Sequence, residues 1–518
     1  MVVREHNVVI KNPKNVSVRF AICYPNVYKV AMSSLGFHIL YNLLNSREDV
    51  WCERIIYPYS KSLESGTYLK DFDIVSFTVQ YEEDYFNVLK MLKSSGIKLD
   101  KSERDENDPL IIAGGPCLTS NPLPMSKFID LFVIGEGEEV LNKIVDTYLE
   151  LENPRKEIDV FGEIEGVYIP DKPVRRVIVK NMDKACHPIY QIVPETKDRR
   201  FIPALGHSFL LGVSRGCTRG CRFCMTGYIY RPRRETSLGK LIKIAERGRE
   251  VTNLNKISLI GSSVSDYSKI EKLCESLFER NFKISMPSLR IDSLSNFLIK
   301  ILAKSGTKTI TLAPESTWNV RKILNKTITD EKVFEAVQNS IKAGLKIKMY
   351  FLVGVPGEDI KEVLEFMQKL LRIGKYRINF SVNPLIPKAH TPFQWVKFDF
   401  EDINKKIRFM KKKLRYRAKF GNPKLALIQY VLSIGGKDVG ELLERSVKSR
   451  ISFREWMKKA KPWNVDDELP WKNIDVGLRD DFILEEYYKM KKGEITPWCE
   501  EGVCYGCQKK CLLKESKK

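Results

Sequence analysis

Short β-branched runs alternate with helix-like stretches along this chain of 518 residues, and this alternation limits the fold more than any other feature. In the N-terminal part, four apolar runs alternate with amphipathic stretches: the runs are 17–25, 73–79, 110–116 and 130–135. Such a rhythm is typical of a parallel sheet covered by helices. We therefore predict a doubly wound α/β domain over residues 1–155.

The same rhythm resumes after a less regular connecting region at 156–206. Six further runs predict strands at 209–214, 256–261, 283–286, 308–313, 345–354 and 377–385. Amphipathic segments lie between them, so we predict a partial (βα)6 barrel over residues 207–400. Residues 401–518 read as mainly helical and basic, with nine Lys or Arg from Lys405 to Lys419.

Three cysteines follow the first barrel strand in the sequence SRGCTRGCRFC: Cys217, Cys221 and Cys224. Three thiolates on one short loop hold three irons of a 4Fe–4S cube and leave the fourth iron open to a small molecule. A structural zinc site would need a fourth ligand, and His207 is the nearest candidate, ten residues upstream. The spacing favours the cluster.

This loop, with Phe223 before its last cysteine, resembles the cluster motif of the radical S-adenosylmethionine (SAM) superfamily. The resemblance implies an enzyme that reductively cleaves SAM to a 5′-deoxyadenosyl radical at the cluster. It also implies a reducing electron donor such as ferredoxin or flavodoxin.

Further motifs at strand ends resemble the SAM-binding positions of that superfamily. They are the GSS turn, PSLRID (287–292), LAPES (312–316) and FLVGVPGE (351–358). The resemblance implies that SAM contacts eight residues in them: Gly261, Ser262, Ser263, Ser288, Arg290, Glu315, Gly354 and Gly357. The segment NPLIPKAHTPFQW (383–395) resembles the branch that carries an N-terminal cobalamin-binding domain.

The N-terminal unit resembles that Rossmann-like domain through AGGPCLTSNP (113–122) and VIGEGEE (133–139). The resemblance implies that a cobalamin approaches the backbone at four glycines: Gly114, Gly115, Gly135 and Gly137. The chain departs from the pattern, because the cobalt-ligating D-x-H-x-x-G motif is absent from residues 24–36, and His38 lies one turn beyond Gly36. Three alternatives follow for this domain: it binds cobalamin, it is vestigial, or it binds substrate without cobalamin.

The tail PWCEEGVCYGCQKKC contains a second group of cysteines: Cys499, Cys504, Cys507 and Cys511. Four thiolates within thirteen residues form a closed metal site that suits either a second iron–sulfur cluster or zinc. The tail resembles the end of an uncharacterised branch of the radical SAM superfamily. The other cysteines are scattered, which is typical of small buried apolar residues.

The formal charge of +22 favours an anionic partner, and RNA or an acidic protein substrate fits this charge. The run RPRRE (231–235) reads either as a holder of an anionic substrate or as a solvated basic turn. No apolar stretch is long enough to cross a membrane, and the first residues lack the apolar core of a secretory signal. We therefore expect a cytoplasmic protein.

The sequence as a whole predicts a radical SAM enzyme that acts on an unidentified anionic or macromolecular substrate. Two narrower enzyme hypotheses are a cobalamin-dependent radical methyltransferase and an enzyme like the transfer RNA methylthiotransferases. A non-enzymatic alternative is a nucleic-acid-binding metal protein formed by the basic helix and the cysteine-rich tail. The sequence leaves the oligomeric state open.

Overall fold

The N-terminal and connecting parts contain the first elements of the fold. In the computed structural model, which describes residues 3–479, 481–499 and 506–507, these elements are β1 Arg4–His6, β2 Val18–Tyr24, α1 Tyr28–Ala31, α2 Leu35–Asn45, β3 Val50–Ile56, β4 Ile74–Thr78, α3 Tyr85–Ser94, β5 Leu110–Gly114, α4 Pro116–Ser120, β6 Leu131–Val133, α5 Leu141–Glu150, β7 Val167–Tyr168, β8 Val174–Arg175 and β9 Val193–Glu195.

The N-terminal sheet has the strand order β3-β2-β4-β5-β6-β7. Neighbouring strands are parallel from β3 to β6, and β7 runs antiparallel to β6. β3 and β4 are buried along their whole length, as expected for strands with helices on both faces of the sheet. The carboxyl ends of β2, β4, β5 and β6 therefore meet at one edge.

The second unit follows with a longer set of elements. They are β10 Phe209–Gly212, β11 Ser214–Arg215, α6 Thr226–Ile229, β12 Arg234–Glu235, α7 Leu238–Thr252, β13 Lys256–Ile260, α8 Ile270–Glu279, β14 Lys283–Ser285, α9 Asn296–Lys304, β15 Thr309–Glu315, α10 Trp318–Ile323, α11 Asp330–Lys342, β16 Lys346–Val353, α12 Ile360–Gly374, β17 Ile378–Pro384, α13 Phe400–Leu414 and β18 Ala418–Phe420.

These strands form two parallel groups, β10-β13-β14 and β15-β16-β17-β18. Each of the six barrel strands expected from the sequence is present. β18 adds a seventh parallel strand after the basic helix α13, in a region for which the sequence predicted mainly helix. Its three residues are too few for a periodic pattern to reveal them.

The C-terminal region is mainly helical, with α14 Pro423–Ile434, α15 Val439–Lys448, α16 Phe453–Lys459, β19 Ile474–Asp475 and α17 Phe482–Lys492. It does not stand apart, because β19 pairs with β8 of the connecting region. One hydrophobic cluster contains Val75 of the N-terminal sheet, Leu211 and Met349 of the barrel, and Leu427 of α14. This shared core fixes the N-terminal sheet against the barrel.

None of the helices in the described part of the chain is both long and apolar enough to span a bilayer.

Candidate functional site

The predicted cluster loop lies between β11 and α6, directly after the first barrel strand. Gly216 precedes Cys217 with a φ of +77°, and a Cβ atom there would collide with the carbonyl oxygens of Tyr230 and Pro232. Only glycine adopts this backbone conformation without cost. The glycine thus lets the cysteine loop pack directly on the backbone that follows α6.

Two fully buried arginines hold the cluster loop. Arg231 donates to the carbonyl oxygens of Thr218 and Arg219 at 3.2 and 2.9 Å. Arg222, between the second and third cysteines, forms an ion pair of 3.0 Å with the buried Glu486 of α17. Both guanidinium groups act on the loop from inside the protein, where their hydrogen bonds fix its path.

The buried positions of Arg231 and Arg234 contradict the interpretation of the RPRRE run as a solvated basic turn. Arg234 pairs with Glu136 at 2.8 Å, so its charge is used across the interface with the N-terminal domain. A solvated turn would expose these side chains, whereas the role of the run toward an anionic substrate stays a prediction. No local pattern predicts this burial, because the partners of these arginines are distant in the chain.

The C-terminal segment packs against the same loop. Asn325 donates to the carbonyl oxygens of Gly220 and Thr496, and the Cys499 N–H donates to the carbonyl oxygen of Thr218 at 3.4 Å. Trp498 lies 3.0 Å from the Arg219 guanidinium, measured to the ring centroid. Cys499 is therefore beside the cluster loop.

Of the other predicted tail ligands, Cys507 is buried, while Cys504 and Cys511 lie outside the described residues. Cys507 is close enough to the buried Arg176 to affect the pKa of that guanidinium. The metal-binding role of the four cysteines stays a prediction.

The three loop thiols are close enough to disfavour one another's ionisation. Burial, and after it the thiolates of Cys221 and Cys224, raise the pKa of Cys217 to about 11. Burial and Cys221 also raise the pKa of Cys224. Three neighbouring thiolates in such a site need positive charge, which iron supplies on binding.

The described residues show no site for a single metal ion, and His207 lies at the other end of the first barrel strand from the cysteines. No three His, Cys, Asp or Glu side chains of residues 3–479, 481–499 and 506–507 are placed to hold one metal ion. His207 precedes β10 and the cysteines follow it, so a four-residue strand of about 13 Å lies between them. His207 is therefore not placed as the fourth ligand that a zinc ion at the loop would need.

Arg290, predicted to contact SAM, lies beside the thiols. Its Nη1 atom is 3.8 Å from the Cys221 sulfur, and Asp292 accepts from the guanidinium at 3.0 Å. Arg219 pairs with Asp266 at 2.7 Å and with Asp292 at 3.0 Å. The carboxylates hold both cations at the rim of the loop.

The other predicted SAM residues divide into two groups. Gly261 and Ser262 line the same cavity as Cys217, and Ser288 donates to the Ser262 carbonyl oxygen at 3.2 Å. Ser263 instead turns inward, where its hydroxyl donates to Asp266 at 2.7 Å.

The remaining three lie at the ends of β15 and β16. Glu315 has a φ of +67° and forms a buried ion pair of 2.8 Å with Lys326. Gly354 donates its N–H to Glu358 at 2.6 Å, and Gly354 and Gly357 both have positive φ. Their SAM contacts stay predictions.

A central cavity of about 700 Å³ joins the cluster loop to the N-terminal domain. Its lining includes Cys217 and Cys224 on one side and the segments 34–36, 80–82 and 135–136 on the other. The latter segments follow β2, β4 and β6, at the sheet edge where open α/β sheets bind ligands. The cavity is large enough for SAM and part of a second ligand.

A buried polar group in this cavity was missed by the sequence reasoning. Glu82 accepts from Lys388 at 2.6 Å and from Gln429 at 2.8 Å, which links the N-terminal domain, the segment after β17 and α14. The NPLIPKAHTPFQW resemblance pointed to the region of Lys388 but not to its partners.

The four N-terminal glycines have packing roles of their own. A Cβ atom on Gly115 would collide with the Val79 carbonyl oxygen, and one on Gly135 with that of Val177. Gly114 and Gly137 have neighbours at ordinary contact distance, 3.4 Å or more. Their predicted contacts with cobalamin remain predictions.

Gly36 differs from these glycines, because no atom lies within 4 Å of the place its Cβ would occupy, and it lines the central cavity. It is the second residue of α2, where glycine costs about 1 kcal/mol relative to alanine. His38 is buried, its Nε2 is 3.3 Å from the Met32 carbonyl oxygen, and burial lowers its pKa to about 4.

Comparisons with known proteins agree with this architecture. The family model described as radical SAM proteins, N-terminal, matches residues 36–170, and that of the radical SAM superfamily matches residues 211–370. Uncharacterized protein MJ0966 of Methanocaldococcus jannaschii is 34% identical, over 90% of this chain and 100% of its own length.

Two further similarities concern methyltransferases. Uncharacterized methyltransferase PH0819 of Pyrococcus horikoshii is 25% identical, over 65% of this chain and 73% of its own. The radical SAM methyltransferase TsrM of Kitasatospora setae, solved with cobalamin and a [4Fe-4S] cluster, is 13% identical with a TM-score of 0.52, over 71% of this chain and 72% of that one. With a cysteine loop after the first barrel strand and family matches on both units, the chain belongs to the radical SAM superfamily and is a radical SAM enzyme, with a 4Fe–4S cluster and SAM as its cofactors.

Proposed function

We propose that this radical SAM enzyme transfers a methyl group and uses a cobalamin held in the central cavity. The observation that carries the proposal is the continuity of this cavity, which reaches from the cluster loop to the carboxyl edge of the N-terminal sheet. The methyltransferase name of one relative and the cobalamin bound by TsrM support it.

The chain's own residues divide the work on the SAM side of the cavity. Cys217, Cys221 and Cys224 hold the cluster, and Arg290 places a positive charge beside their sulfurs. Gly261 and Ser262 form the wall next to the thiols. When bound and reduced, the cluster supplies the electron that cleaves SAM. The enclosing domains exclude water from the radical reaction.

On the opposite side, the start of α2 fits a flat ligand, because Gly36 leaves open space where any other residue would project into the cavity. The backbone N–H groups at this helix start also favour a polar ligand. His38 is buried against Met32, so we propose a cobalamin held without this histidine on cobalt.

The test is anaerobic. The protein is reconstituted with iron and sulfide, reduced, and given SAM with or without cobalamin, and 5′-deoxyadenosine and S-adenosylhomocysteine are quantified. We expect deoxyadenosine, and S-adenosylhomocysteine only when cobalamin is present. If cobalamin has no effect on either product and does not bind in equilibrium dialysis, the methyl-transfer proposal is wrong.

A matched pair of variants locates the cobalamin. Gly36→Phe should abolish its binding, because the ring fills the open part of the cavity. Gly239→Phe is the control, because Gly239 is also the second residue of a helix, with no atom within 4 Å of its Cβ position, but does not line the central cavity. Equal cobalamin binding by the two variants would place the cofactor elsewhere.

A second candidate function is sulfur insertion, as in the methylthiotransferases. The position of Cys499 beside the cluster loop favours it, because a tail cluster would then lie next to the first. Cys23, Cys52 and Cys117 are buried within the N-terminal unit. Iron and zinc analysis of the reconstituted protein tests this candidate, and zinc in the tail would remove it.

A further inference from the structure

A second cavity is lined by the same connecting segment as the central cavity. We call it the basic cavity: it measures about 440 Å³ and is lined by residues 175–181, Lys184, Glu165, Glu139 and Lys143. Met182, Ala185 and Cys186, from the same connecting segment, line the central cavity instead. The connecting segment therefore borders both cavities.

The charges of this cavity are unbalanced. Two carboxylates line it, those of Glu139 and Glu165. Five cations face them: Lys143, Arg175, Arg176, Lys180 and Lys184. The three lysines are exposed, and none has a carboxylate within 4.0 Å in the described part of the chain. Arg175 has Asp475 at 3.6 Å, a pair about half exposed on both sides, which contributes little. The cavity therefore attracts anions.

Arg176 is the buried cation of the cavity, with 4% of its surface exposed. Its terminal nitrogens donate to the carbonyl oxygens of Ile229 and Arg231, and its Nε has no hydrogen-bond partner among the described residues. Burial lowers its pKa to about 10, so it stays charged at neutral pH. A buried guanidinium in contact with carbonyl groups alone leaves a positive charge that a bound anion would balance.

We infer that the basic cavity binds a phosphate group of the substrate, so that the substrate is a phosphate ester; as an assignment of substrate class, this rests on the proposed function. A cavity with several flexible ammonium groups and one guanidinium suits a phosphate group better than a single carboxylate group, because the charge of phosphate is spread over more oxygens. The phosphate has two sources with the same chemistry, an RNA backbone and a mononucleotide.

The experiment compares two triple variants of the full chain. Lys143→Gln/Lys180→Gln/Lys184→Gln removes the exposed cations of the cavity. Lys272→Gln/Lys300→Gln/Lys304→Gln removes three exposed lysines of α8 and α9, which line neither cavity. The probes are a labelled 12-nucleotide RNA and AMP, and binding is followed by fluorescence anisotropy and calorimetry over a range of salt concentrations.

If the phosphate belongs to RNA, the salt dependence of binding gives the expected loss of affinity in the cavity variant. Each phosphate that the protein neutralises on a single strand contributes about 0.7 to the slope of log K against log salt, so loss of this one phosphate site lowers the slope by about 0.7. Affinity at 0.1 M salt then falls by about 5-fold in the cavity variant and stays unchanged in the control. Loss of AMP binding, with RNA binding equal to the control, identifies the mononucleotide source.

The inference is overturned if the wild type binds neither probe, or if both triple variants bind them equally. Thermal melts check that each variant is folded. Deoxyadenosine formation from SAM should be equal in the two variants, since neither changes the cluster loop. Failure of cobalamin-dependent methyl transfer alongside a selective loss of phosphate binding would remove the proposed function and leave the phosphate site standing.

Discussion

The contact between the C-terminal helix and the cluster loop can be tested by removing one charge from it. In Glu486→Leu, the fully buried Arg222 loses its carboxylate partner at 3.0 Å and keeps only neutral acceptors, among them the Glu494 carbonyl oxygen at 2.8 Å. An uncompensated buried charge costs about 3–5 kcal/mol. At about 1 °C per kcal/mol for a cooperative unit of this size, the Tm should fall by roughly 3–5 °C.

The assay is thermal unfolding of the reconstituted protein, with bound iron measured on the same samples. Because Arg222 lies between two cluster cysteines, iron content should fall together with stability. Glu485→Leu is the matched control, since this neighbouring carboxylate is exposed and pairs only at the surface, with Arg479. Its Tm should change by no more than about a degree.

The double variant Arg222→Met/Glu486→Leu completes the cycle. Removing both charges leaves no unpaired ion in the interior, so it should be more stable than Glu486→Leu alone. If Glu486→Leu melts like the Glu485→Leu control, the tail does not hold the cluster loop through this pair, and the argument fails.

Three other predictions follow from the site and the fold. Cys224→Ser should abolish deoxyadenosine formation, whereas Cys504→Ala, outside the described residues, should spare it; complete loss of iron in the latter would contradict two independent sites. Glu136→Gln should lower the free energy of unfolding by about 3 kcal/mol at neutral pH. Burial raises the pKa of Glu136, but its arginine partners lower that pKa by a larger amount. The pKa of Glu136 therefore lies below its ordinary value of 4.5. Its stabilisation is therefore present above pH 4.5 and lost below it, so the Tm difference from wild type should narrow in acid; a constant difference would refute the pairing. Gly115→Ala should destabilise the protein by more than 1 kcal/mol in a denaturant titration, because its Cβ would collide with the Val79 carbonyl oxygen, and an unchanged midpoint would contradict that packing.

Local patterns were enough to predict the barrel and the cluster loop. The strands from Phe209 to Pro384 carry apolar β-branched runs, and their periodicity depends on neighbouring residues alone. The spacing of the three cysteines is likewise local, because one loop supplies all three. Sequence therefore determined the superfamily, the cofactors that come with it and the α/β class of the fold.

Contacts between distant residues were decided only by the tertiary structure. Arg222 and Glu486 are 264 positions apart, and Arg234 and Glu136 are 98 apart. A run of arginines looks the same in a sequence whether it is solvated or buried, since burial depends on which carboxylates and carbonyl groups the fold brings to it. The cavities are likewise decided by the tertiary structure, because segments from distant parts of the chain form their walls. No single segment contains a sequence pattern that predicts the space between those walls.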